Sequence, residues 1–172
     1  MSHERKDGKV HLKDEARTPP ELFRKLNEKY QFQIDACASE NNRLCYQYYS
    51  LDFDALDHDW AGIFGAVSES RVYCNPPYSN PTPFIKKAYE ESLKGATVVM
   101  LLPADTSTKS FHDYCMKADQ IIFLEGRVTF NNPDGTPMIG SPKFGNMVAV
   151  FERMQPKRVQ VRSWDWRNEE LP

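Results

Sequence analysis

Apolar positions change period several times along the chain, and each change marks an element. Leu22, Phe23, Leu26 and Tyr30 recur at helical spacing and predict a helix with one apolar face running to about Lys29. Thr18-Pro19-Pro20-Glu21 has the form of a capping box at its start, with a threonine cap, a proline in the first turn and a glutamate three residues after the cap. Phe32 to Cys37 reads as a short strand running into the polar loop Ala38 to Asn42, and Tyr46 to Tyr49 as a second. Val72 to Asn75 is the next. Thr82-Pro83 opens an amphipathic helix whose Phe84, Ile85, Ala88, Tyr89 and Leu93 share a face, ending near Gly95. The continuous apolar run Thr97 to Leu102 is typical of a parallel strand buried on both sides. A helix from about Ser107 to Lys117 follows, then strands at Gln120 to Leu124 and Met147 to Phe151. Strands alternating with helices predict one α/β domain, a mostly parallel central sheet flanked by helices.

Composition sets limits on this picture. The 172 residues, 40% hydrophobic and 27% charged, suit one globular domain and leave no room for a second large one. Residues 1–17 are polar, with charges of both signs, and read as a flexible lead-in to a domain over 18–155. The final stretch, 156–172, reads as a basic and aromatic tail, or equally as an edge strand with a solvated face. Formal net charge is -2, so any nucleic-acid contact has to come from local basic patches. The four cysteines form no CxxC pair and the four histidines are scattered, so no metal site is expected and the thiols read as reduced, as in a cytosol. No apolar stretch approaches 18 residues, and Met-Ser-His-Glu-Arg-Lys-Asp lacks the hydrophobic segment of a secretion signal. A soluble, cytoplasmic protein with no membrane association is expected.

The chemistry concentrates in Asn75-Pro76-Pro77-Tyr78, directly after the apolar Val72-Tyr73-Cys74. An amide, a rigid double-proline turn and an aromatic ring suit a planar group that bears an NH2. The exocyclic N6 of adenine is such a group and a poor nucleophile, because its lone pair is delocalised into the ring. Acceptors on its two hydrogens relocalise that pair, and the side-chain oxygen of Asn75 and the carbonyl of Pro76 are two, held by the restricted geometry around prolines. Tyr78 offers a flat face, and stacking contributes about 1–3 kcal/mol per base, comparable with the few kcal/mol needed to extrude one from a duplex. The plainer reading of the same residues is a strand ended by two prolines with Tyr78 on the core. Cys74 lies in the apolar run without an evident base and reads as a core thiol, not a nucleophile.

Asp35 and the Asp52/Asp54 pair fall near strand ends, where ligands of α/β sheets sit. Asp54 follows Asp35 by 19 residues, close to the spacing at which dinucleotide folds place an acid on a ribose, which suggests a cofactor with an adenosine moiety. No GxGxxG occurs, and no glycine lies between Gly8 and Gly62, so Ala36 and Ala38 have to permit the close backbone approach. Taken alone, these acids also read as solvated loop residues or caps.

In order, Thr18-Pro19-Pro20-Glu21-Leu22-Phe23, Ile34-Asp35-Ala36-Cys37-Ala38-Ser39, Asp54-Ala55-Leu56 with Trp60, and Cys74-Asn75-Pro76-Pro77-Tyr78-Ser79 resemble the phage-type DNA adenine-N6 methyltransferases of the Dam family. That resemblance implies a Rossmann-like class I methyltransferase domain, S-adenosylmethionine as cofactor, double-stranded DNA as substrate and direct displacement at adenine N6. It implies that Thr18, Pro19, Asp35 and Ala36 hold the methionine part of the cofactor and the Asp52 and Asp54 segment its adenosine. Asn75, Pro76, Pro77 and Tyr78 then form the catalytic turn. Base reading is expected from Gly126 to Gly145, long for a simple connection, through Arg127, Asn131, Asn132 and Lys143. The tail residues Arg153, Lys157, Arg158, Arg162, Trp164, Trp166 and Arg167 form a second basic and aromatic candidate. Two other functions fit the turn: methylation of a glutamine side-chain amide, and a nucleic-acid-binding module without turnover. The first usually brings a glycine-rich cofactor loop and a separate recognition domain, which this chain lacks.

Overall fold

The computed structural model describes residues 16–50, 54–63, 69–132, 134–139, 143–152 and 158–172. Helix α1, Pro20–Tyr30, buries Leu22, Leu26 and Tyr30 as its apolar spacing requires. Its capping differs from the expected box. Pro19 is the cap residue and no side chain caps the helix. The Thr18 hydroxyl lies 2.7 Å from the Tyr73 hydroxyl instead, since a fully buried phenol needs a partner more than an exposed helix end does.

Strand β1 is only Ile34–Asp35 and β2 only Gln47–Tyr48. The longer strand expected up to Cys37 stops because the Asp35 carboxylate accepts from the backbone N–H of Cys37 (3.3 Å) and of Leu44 (3.1 Å), which turns the chain. Strand β3, Arg71–Cys74, leads through the proline turn to α2, Thr82–Leu93, and then to β4, Thr97–Pro103. The helix expected over 107–117 breaks at Tyr114 into α3, Lys109–Asp113, and a 3-10 turn at Cys115–Lys117. Strands β5, Gln120–Leu124, β6, Asn146–Phe151, and β7, Gln160–Trp164, complete the sheet.

Among the described residues the seven strands form one sheet in the order β2-β1-β3-β4-β6-β5-β7. Every neighbouring pair is parallel except those of β6, which runs antiparallel to both β4 and β5. One face carries α2 and α3 through Ile85, Ala88 and Phe111 against Val72, Val98, Met100 and Ala149. The other carries α1 through Leu22, Leu26 and Tyr30 against Tyr73, Val99, Leu101 and Val148.

Two expectations need correction here. Of the two readings of the final stretch, the edge strand holds over the described residues 158–172 and the tail does not: β7 pairs with β5 at the sheet edge, and Trp164 and Trp166 are buried with α1, so neither indole is available to stack on a base. Arg158, Arg162 and Arg167 remain exposed, whereas Arg153 and Lys157 lie outside the described residues. Leu93 of α2 is also exposed, and Glu91 takes the interior place. Its carboxylate accepts from Trp60 N–H and Ala61 N–H, both at 2.9 Å, and pairs with Lys87 at 2.7 Å and Lys94 at 2.8 Å. Burial would raise this carboxyl, but the two ammonium groups and the N–H donors outweigh it and hold it well below its ordinary range.

Candidate active site

The carboxyl ends of β1 and β3 bring three separated segments together. Asp35 and Tyr73 are cross-strand partners, Thr18 bonds to Tyr73, and Asn75 follows two residues later. Asn75 donates from Nδ2 to the carbonyl of Ala16 at 3.3 Å, and this fixes which way its amide points. Its other atom, Oδ1, is buried and accepts no hydrogen bond among the described residues. That is the outstanding polar feature of the site, since a buried acceptor left unpaired costs about 1–3 kcal/mol. Pro76 is buried, and the turn closes with Asn80 N–H on the Pro77 carbonyl at 3.1 Å.

Tyr78 is held at two points. Its hydroxyl oxygen accepts from Asn146 Nδ2 at 2.8 Å, and its ring meets Phe130 edge-on, with centroids 5.7 Å apart and planes at 87°. Burial pushes the phenol above its ordinary pKa, only partly countered by the Asn146 bond, so it stays neutral.

Asp35 is 3% exposed. Burial pushes its carboxyl up to about 6, against the pull of the Leu44 and Cys37 N–H donors. Each carboxylate oxygen carries one of these bonds and keeps a lone pair for a ligand. Asp54 has a cap's duty: its Oδ1 accepts from Leu56 N–H at 2.9 Å at the start of a 3-10 turn, Ala55–Asp57, and Trp60 Nε1 donates to the Ala55 carbonyl at 2.8 Å. The Cys37 thiol is pushed up by burial, by Cys74 3.6 Å away, and by the charges of Asp35 and Asp54. Thr18 and Pro19 are buried at the same edge, and Asp52 lies outside the described residues.

The segment expected to read bases is anchored through its backbone. Asn131 pairs through its backbone with Arg17, both bonds 2.8 Å, and bridges Pro137, which clasps 130–132 and 134–138 to the chain beside Asn75. The amide of Asn132 donates to Thr136 Oγ1 at 3.0 Å, an exposed bond across the turn. Arg127 and Lys143 are exposed. Sequence reasoning missed Tyr73, Phe130 and Asn146, whose partners lie far away in the chain. Among the described residues no three His, Cys, Asp or Glu side chains are grouped to hold a metal ion, and no helix is long and apolar enough to cross a membrane.

The described residues thus form an α/β domain, a mostly parallel sheet with one antiparallel strand, that carries an Asn-Pro-Pro-Tyr turn at the carboxyl end of β3. The family model of DNA N-6-adenine-methyltransferase (Dam) matches residues 5–170, and the chain belongs to that family. It is 37% identical over 113 residues to the DNA N-6-adenine-methyltransferase of Escherichia phage T1, a match covering 65% of this chain and 45% of that protein. Against the protein of the same description from Haemophilus phage HP1 it is 34% identical over 129 residues, 73% of this chain and 70% of the other. The match thus spans less than half the length of the phage T1 relative. A Listeria monocytogenes structure described as a class I S-adenosylmethionine-dependent methyltransferase aligns with a TM-score of 0.47 and 11% identity, over 91% of this chain and 68% of that one.

Proposed function

We propose that this chain transfers a methyl group from S-adenosylmethionine to N6 of adenine in double-stranded DNA. The observation that carries this reading is the buried Oδ1 of Asn75, without a hydrogen-bond partner among the described residues, three residues before a Tyr78 ring that is itself held in place. An entering amino group satisfies that atom and so offsets its desolvation. The names carried by the two phage relatives support the same substrate.

The residues at the crevice fit the cofactor. The Asp35 carboxyl, buried yet with acceptor capacity left, suits the ammonium of its methionine part, with Thr18, Pro19 and Ala36 around it. The segment beginning at Asp54, with Asp52 before it, suits the adenosine. When bound, the cofactor supplies a methyl group activated by a positively charged sulfur. Asn75 Oδ1 and the Pro76 carbonyl accept the N6 hydrogens, which concentrates the lone pair on nitrogen for direct displacement. The Tyr78 ring stacks on the extruded base. No covalent intermediate on the protein is needed: Cys74 is fully buried in the core, its sulfur 3.6 Å from that of Cys37. Exposed Arg127 and Lys143 provide the local positive charge that an acidic chain needs against DNA phosphates.

The test is incubation with S-adenosylmethionine labelled in its methyl group and either duplex DNA or protein substrates. Label in N6-methyladenine is the expected result. Label in glutamine amides, or in neither, overturns it.

A further inference from the structure

Asn146 begins β6, opposite Pro103 at the end of β4, and is 3% exposed. The rest of β6, Met147 to Phe151, is apolar and buried, so an amide at its head has to be fully bonded to be tolerated. Its nitrogen Nδ2 donates twice: to the Leu102 carbonyl of β4 at 3.3 Å and to the Tyr78 hydroxyl at 2.8 Å. The first acceptor belongs to the sheet, the second to the Asn-Pro-Pro-Tyr turn. One planar NH2 group therefore ties the tip of the Tyr78 ring to the frame of the domain.

Stacking alone does not explain that hydroxyl, because phenylalanine offers a base the same flat face. The phenol oxygen is the handle by which the ring is held. Asn146 fixes the direction of the ring axis, and Phe130, edge-on at 87°, fixes the tilt of the plane. We propose that Asn146 is a positioning residue for methyl transfer, acting through the Tyr78 hydroxyl to hold the ring where a base can lie on it. The inference rests on the adenine-methylating reading of the same turn.

Two readouts test it, one of them independent of activity. With 3-fluorotyrosine incorporated and the Tyr78 signal identified by its loss in Tyr78→Phe, Asn146→Ala should shift and broaden that fluorine resonance. An unmoved resonance overturns the proposal. In kinetics, Asn146→Ala should lower kcat/KM for DNA about tenfold, as for loss of one ordering hydrogen bond, with cofactor affinity unchanged. The double variant with Tyr78→Phe should be no worse than the poorer single variant. If the Asn146→Ala loss persists in full on the Tyr78→Phe background, Asn146 serves only the β4–β6 junction and the proposal fails. Asn146→Ser, which keeps a donor, replaces the alanine variant if that does not fold, with a smaller loss expected and the same test of non-additivity. Wild-type protein that methylates no adenine but passes the fluorine test refutes the functional reading and leaves the ring-holding role standing; active wild type with additive variants refutes only the latter.

Discussion

Cofactor affinity measured between pH 5 and pH 7 reads the charge on Asp35. In the folded protein without cofactor, burial holds this carboxyl at about 6, against an ordinary value of 3.8. A cationic ammonium beside it favours the ionised form, so binding requires the proton to leave. With a pKa of about 6, roughly one molecule in eleven is ionised at pH 5 and roughly ten in eleven at pH 7, which makes binding about tenfold weaker at pH 5. The same shift has a stability consequence of opposite sense. A folded pKa raised above the unfolded one gives a contribution that is fully present below about pH 4 and lost as pH rises through about 6. The gap corresponds to about 3 kcal/mol for this fully buried group. Asp35→Asn should bind the cofactor weakly at both pH values, with no slope between them. Isothermal titration with S-adenosylmethionine at pH 5, 6 and 7 is the assay. Equal affinity at pH 5 and 7 in the wild type, or the same slope in Asp35→Asn, refutes the placement of the ammonium at Asp35.

Removing the Glu91 carboxylate leaves Trp60 N–H, Ala61 N–H and the Lys87 ammonium without this acceptor, and Lys94 with Asp59 alone, so Glu91→Ala should destabilise by roughly 3–5 kcal/mol. At about 2–4 °C per kcal/mol for a chain of this size, calorimetry should record a fall in Tm of roughly 6–20 °C, and a fall under about 2 °C contradicts the account. Because this carboxyl is held below its ordinary value, its contribution is present above about pH 4.5 and is lost as acid protonates it. Arg127→Ala and Lys143→Ala should each weaken DNA binding about equally for all sequences and reduce the salt slope by about one, measured by fluorescence anisotropy across salt concentrations. An unchanged slope removes them from the DNA face.

What was legible in the sequence was local. Gln120–Leu124 and Thr82–Leu93 stand where the apolar run and the Thr-Pro start put them, because each signal lies within the element itself. The turn at Asn75 likewise sits at a strand end, where the prolines stop β3. Strand direction is not written in an apolar run, so nothing marked β6 as antiparallel. Strand β7 could be read only as one of two alternatives, edge strand or tail, because just Trp164 of its five residues is buried, which leaves no alternation to decide between them. Glu91 reads as a surface acid of α2 until the loop at Trp60, some thirty residues upstream, folds onto it. The partner of Tyr78 was equally hidden. Asn146 looks like the polar end of a strand, and only the pairing of β4 with β6 carries it to a ring 68 residues away.

The central claim is that the turn at Asn75 methylates adenine, and nucleoside mass spectrometry of DNA from cells lacking other adenine methylation tests it most directly. Cells expressing the wild-type chain should accumulate N6-methyladenine, and cells expressing Asn75→Ala or Tyr78→Ala at equal level should accumulate none, although both purified variants still bind S-adenosylmethionine. N6-methyladenine at wild-type level with Asn75→Ala, or its absence with the wild type, contradicts the account.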